Sequence, residues 1–401
     1  MTSHADVEAV PPALSRIQLA GIAGGAALVP LNSTMIAVAL PSIADDFDIS
    51  IGRTGLLVTV YLVAMLLGQP VAGRLGDTVG HRRLVRIALV GFAAMSIVGA
   101  ISPTFVVLVA ARVGQAACGA AIGPGVQAML RMVTPASQRG RTFGFLGSII
   151  GVGAAAGPVL GGALTALFGW QAIMLVNLPI VAWALVAAPT AGTGHGHHRQ
   201  GTHGVSGESW ITGIFVACCA VQALTTVGQY MLLLVTPVIL EARGWSSAPV
   251  GLVLSTMTIG LIVMGPFGGR AGDRRGRRWP VAIGITVTTV AIVCSAIGGA
   301  SIRITVMIVA LAASGLGLGF ALPSVMTSAV ESVDERRAGA ASGLFSMSRY
   351  VGSIGTSLLV SAWVTDDAGG TARALWVAAT ASAGALGCVA FLPTRRARSE
   401  P

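Results

Sequence analysis

Arg112 and Gln115 stand three residues apart in the run RVGQAACGAA (112–121), inside a segment otherwise fit for lipid. A guanidinium cannot lose its proton, so there it must face protein or water, holding a polar group, an anion or a proton's path. Gln115 falls on the same helical face. A second polar set, Asn32, Ser33 and Thr34, interrupts the apolar run LVPLNSTMIAVALP (28–41). A third comprises Gln222, Thr225, Gln229 and Tyr230, and its three glutamine and threonine positions have the three-then-four spacing of a helical stripe. Polar groups in hydrocarbon are costly unless satisfied. These three sets therefore line a wet cavity for substrate and protons, or glue helices together. For Asn32, Ser33 and Thr34 the cavity is expected. None of the candidates is an acid. Of the fifteen acids, none lies in the middle of an apolar segment: Asp45, Asp46 and Asp48 follow the first, Asp77 and Asp273 fall in loops, and Glu241 and Glu331 sit at segment ends. An Arg112 without a counter-acid favours anionic or neutral ligands over cationic ones.

The elements that position these residues are membrane helices. The chain is 54% hydrophobic and 10% charged, with a mean hydropathy of +0.81, outside the range of soluble domains. Twelve apolar segments can be traced, from Ile17–Leu40 to Ala374–Leu392; the sixth (Ile173–Ala188) and eighth (Val250–Pro266) are short. All 25 basic residues are Arg. With the N-terminus cytoplasmic, 19 of them fall on the cytoplasmic side and four opposite, which obeys the positive-inside rule. The expectation is a multi-pass protein of the cytoplasmic membrane with both termini inside. Its net charge of +10 then follows from topology and requires no nucleic-acid partner. Five cysteines in apolar segments suggest neither disulfide nor metal.

The chain repeats itself. GRLGDTVGHRR (73–83) and GRAGDRRGRR (269–278) are offset by 196 residues, and Gly119 and Gly123 meet Gly315 and Gly319 at the same offset. Two six-helix halves are expected, residues 17–189 and 210–392, with a tail at 1–16, a cytoplasmic linker at 190–209 and a second tail at 393–401. The linker holds His195, His197, His198 and His203, whose loose spacing is poor for a metal.

With these motifs the chain resembles the major facilitator superfamily over nearly its whole length. The resemblance implies a twelve-helix, all-α bundle in which Gly73, Asp77, Gly80, Arg82 and Arg83, with Asp273 in the weaker copy, form gating loops. Partners for Asp77 are expected among Arg131, Arg336 and Arg337, while Arg74, Arg82 and Arg83 also serve to fix topology. GAAAGPVLGG (153–162) looks like the fifth-helix signature of the drug:proton antiporter branches, with Gly153, Gly157, Pro158, Gly161 and Gly162 in place. Arg112-x-x-Gln115 is similar to the fourth-helix signature, where the arginine is assigned to proton transfer or substrate binding, although Ala116 replaces a glycine. Arg349, in SRYVGSIG, also resembles antiporter sequences and is expected to support the cavity. LNSTMIAVALPSIADDF resembles a first-helix signature in which Asp commonly occupies the place of Asn32.

The function this implies is export of small amphipathic compounds, a small-molecule substrate exchanged for protons, with no cofactor. Because an amide does not titrate, either protons couple through peripheral groups such as Glu241, Glu331 or Asp46, or transport is not proton-driven. A facilitator or importer of a small neutral or anionic metabolite is the alternative; a transport-inactive sensor keeping the fold comes third. No Ser/His/Asp set, nucleotide loop or metal constellation points to an enzyme.

Overall fold

The structure is a computed structural model and describes residues 16–187, 211–245, 247–334, 337–363 and 368–393. In the first half the helices are α1 (Arg16–Asp46), the single turn α2 (Ile51–Thr54), α3 (Leu56–Val79), α4 (His81–Ala100), α5 (Phe105–Val133) and α6 (Arg139–Phe168), followed by α7 (Gln171–Leu175) and α8 (Asn177–Ala187). In the second they are α9 (Gly213–Glu241), α10 (Ser247–Arg275), α11 (Arg278–Gly298), α12 (Ile304–Glu331), α13 (Ala338–Trp363) and α14 (Ala368–Cys388). Among the described residues ten helices are long and apolar enough to cross a bilayer. The 26-residue α13 and the broken Gln171–Ala187 make up the two bundles of six. The linker, with its four histidines, lies outside the described residues.

Two short segments differ from expectation. The eighth is not short: α10 runs for 29 residues, because GRAGDRR continues the helix beyond the apolar stretch. Asp273 therefore sits in the last turn of α10, and Asp77 likewise in the last turn of α3, instead of in loops. The sixth breaks at Val176, between α7 and α8. Gly80 and Gly276, again 196 apart, end α3 and α10 with φ of +93° and +92°, a left-handed backbone that glycine adopts without strain.

The outward faces are apolar and exposed, as at Leu67, Val71, Val159, Val186 and Leu252, which suits contact with lipid chains. Inside each half the helices bury their own apolar clusters. Two seams join the halves, α3 on α13 and α6 on α10. They are pseudo-symmetric. A Cβ on Gly73 would strike the Gly339 carbonyl, and one on Gly269 the Gly140 carbonyl. One turn deeper, Gly343 lies against Gln69–Pro70 and Gly144 against Gly265–Pro266. Backbones this close leave no room for side chains, which is why small residues recur there.

Candidate functional site

Arg112 is fully buried within the first half and held by its neighbours. Its Nη1 donates to Asn32 Oδ1 and, at 2.9 Å, to Gln115 Oε1. Gln115 Nε2 donates onward to Ser96 Oγ at 2.8 Å, and Asn177 Nδ2, at the start of α8, reaches the same oxygen at 3.1 Å. The guanidinium also lies over the Tyr61 ring, 4.3 Å from its centroid. α1, α3, α4, α5 and α8 thus meet in one polar knot whose hydrogen-bond acceptors toward arginine are amides. This revises the reading of Asn32: its side chain is fully buried and faces Arg112, not an open cavity. Thr34 turns back onto the Pro30 and Leu31 carbonyls and packs against Gly157. Ser33 is half-buried.

The glycine signature explains why α1 holds this position. Gly153, Gly157 and Gly161 are buried against Ala27, Thr34 and Met35 of α1, while Pro158 faces outward and Gly162 approaches Val38. The face is a seat for α1 within the first half.

Where the arginine-rich ends of the helices gather, each half reaches into the other. The Asp77 carboxylate accepts from the backbone amides of Gly339 (2.8 Å) and Ala340 (2.9 Å) in the first turn of α13. The Asp273 carboxylate accepts from Gly140 and Arg141, both at 2.9 Å, in the first turn of α6. Each acid thereby caps, from across the seam, a helix N-terminus whose first amides have no partner within the helix. The partners of Asp77 thus include backbone, where arginines were expected. Arg131 donates to the Val333 carbonyl at 2.9 Å, Arg337 contributes its amide to Asp334, and Arg336 lies outside the described residues. Arg82 and Arg83 fall in the first turn of α4 beyond Gly80.

The two latches differ in the side chain beside each acid. Asp273 pairs with Arg277 at 2.6 Å, and Glu331 bridges Arg277 (3.3 Å) and Arg139 (3.5 Å), the latter from the other half. Asp77 pairs instead with His81 at 3.1 Å, at the position equivalent to Arg277. Of the other peripheral acids, Asp46 accepts from Trp170 Nε1 at 2.8 Å at the opposite end.

On α9, Gln222 and Thr225 are buried; Gln222 bonds Thr226 at 3.3 Å and Thr225 the Val221 carbonyl at 2.6 Å. Gln229 and Tyr230 are half-buried. Sequence reasoning missed His81, Ser96, Asn177, Tyr61 and the amides of α6 and α13. The doubled 196-residue offset could have flagged His81 against Arg277. Backbone donors carry no side-chain signal.

The model for the Major Facilitator Superfamily matches residues 22–217 and again 218–401, and the chain belongs to that family. The uncharacterized MFS-type transporter YvkA of Bacillus subtilis is 28% identical over 389 residues, covering 84% of this chain and 88% of that protein. The tetracenomycin C resistance and export protein of Streptomyces glaucescens is 34% identical over 169 residues, 42% of this chain but 31% of that protein. The human organic anion transporter MFSD10 shares the fold at a TM-score of 0.72, with 14% identity, over 93% of this chain and 99% of that one. The chain is a membrane transporter of small molecules.

Proposed function

We propose that the chain exports small amphipathic compounds across the cytoplasmic membrane by alternating access, in exchange with protons. The pair of cross-seam carboxylate latches carries this reading. Each latch joins one half to the other through a few polar bonds at a helix end, the kind of contact that breaks and reforms without unfolding either bundle. By the positive-inside rule the latched, arginine-rich end is cytoplasmic, with both termini and the linker at 190–209 on that side, so this state is closed inward. The kinship with a resistance and export protein and the antiporter-type glycines of α6 favour the outward direction. Intact latches argue against a transport-inactive sensor.

One observation favours a second reading, a facilitator or importer of neutral or anionic metabolites. Arg112 is answered by Asn32 and Gln115, groups that cannot exchange a proton, while Glu331 is engaged by Arg277 and Arg139. The deciding assay uses everted vesicles carrying a pH gradient and a panel of cationic, neutral and anionic compounds. Proton exchange predicts that a substrate collapses the gradient, and that Arg112→Ala abolishes the effect. Labelled substrate that moves without drawing on the gradient would establish the facilitator instead.

A further inference from the structure

The face of α13 that meets the first half reads as a ladder. Gly339 is bound by Asp77, Gly343 lies on Gln69–Pro70, and Ser346 accepts from Gln127 Nε2 at 3.4 Å. On the next turn, ~15 Å along the helix from Gly339, come Arg349 and Tyr350. Tyr350 is buried and joins Val29, Tyr61, Met65, Ala116 and Ala120 of the first half in one cluster. Arg349 stays half-buried, with its guanidinium 5.2 Å from the centroid of the Tyr350 ring. Tyr230 of α9 and, across the seam, Tyr61 lie near it as well. The chain has three tyrosines, and all of them gather here, between α3, α9 and α13.

Arg349 lies eleven residues from the start of α13 and fourteen from its end, so it sits near mid-membrane depth, yet its neighbours belong to the inner helices. Its charge is permanent. Tyr61 links it to the buried guanidinium of Arg112, whose Nε and Nη2 have no hydrogen-bond partner among the described residues. No acid among the described residues lies more than two positions inside a helix end, so these two cations have no protein counter-charge at this depth. A permanent cation without a counter-charge in a low-dielectric interior attracts an anion. The guanidinium fork matches a carboxylate or sulfonate through paired N–H bonds, and tyrosine rings receive a flat apolar body.

We propose that Arg349, with Tyr230 and Tyr350, holds the acidic group of an aromatic organic anion, and that such anions are the substrate class of this transporter. The proposal rests on the transport reading above, and its test separates the two. Binding of 1-naphthoate and of its cationic counterpart 1-naphthylmethylammonium is measured by calorimetry on the full chain in lipid nanodiscs. Transport of both is then followed in vesicles. Naphthoate is expected to bind and the ammonium not. Arg349→Gln should weaken naphthoate at least tenfold, Arg349→Lys should retain part of the affinity, and Arg349→Glu should reverse the preference. If the ammonium binds and naphthoate does not, or if Arg349→Gln weakens both probes alike, the anion site is overturned even where transport is observed. Naphthoate binding that needs Arg349, with no probe transported, would keep the site and remove the export reading.

Discussion

A guanidinium in a membrane interior is tolerated when its donors are answered, and here Asn32 answers Arg112 with an amide oxygen in place of a carboxylate. The consequence is electrostatic: the contact orients the arginine without neutralising it. Removing the arginine orphans two buried amide oxygens, at about 1–3 kcal/mol each, so Arg112→Leu should lower the thermal midpoint in detergent by several degrees. Asn32→Asp keeps the geometry and adds a counter-charge, so it should hold or raise that midpoint. By the same change transport of anionic probes should fall and that of cationic probes rise, as vesicle uptake would show. An Asn32→Asp variant with unchanged probe preference would mean that Arg112 does not act on the substrate's charge. In the sequence, the identity of these residues was legible because polar groups stand out in apolar runs. Their pairing was not, since Asn32 and Arg112 are 80 positions apart and no spacing links α1 to α5.

At the scale of the element, the helix ends carry the polar bonds between the two halves. Asp77 and Asp273 were recognisable from the repeated Gly-Arg-x-Gly-Asp pattern, and in both halves the acid accepts from two backbone amides of the other half. What it hid was that α3 and α10 extend through the pattern, placing the acids on helices where they cap α13 and α6. Each carboxylate facing two amides at a helix N-terminus contributes on the order of 1–2 kcal/mol to the closed state. Asp77→Asn and Asp273→Asn should each shift the population several-fold toward an open basic end, read as a lengthened distance between spin labels on α3 and α13, or on α6 and α10. The latches are unequal, because Arg277 supports Asp273 and is shared with Glu331, whereas the side chain paired with Asp77 among the described residues is the imidazole of His81. His81→Arg makes the first latch resemble the second and should slow turnover while leaving substrate affinity little changed. Faster turnover in that variant would show that the Asp77 latch does not limit the opening of the basic end.

For the whole molecule, the two latches and the glycine-lined seams describe one closed end around a pseudo-two-fold axis, and that symmetry constrains the motion. Apolar runs and the 196-residue repeat were enough to read the twelve helices and two halves, because a bilayer forces long apolar segments into the sequence and a duplicated half leaves matching motifs. The conformational state was not legible, since it depends on bonds between residues as far apart as Asp77 and Gly339. If the halves rock as rigid bodies, locking any contact between them must stop the cycle even though it touches neither latch. Gln127 and Ser346 offer that contact, 3.4 Å apart on α5 and α13. With Cys118, Cys218, Cys219, Cys294 and Cys388 replaced, Gln127→Cys with Ser346→Cys should form a cross-link under oxidation. Transport should then stop, return on reduction, and leave binding from the opposite end intact. Cross-linked protein that still transports would show that the α5–α13 contact stays closed throughout, and the moving boundary would have to be sought along α6 and α10 alone.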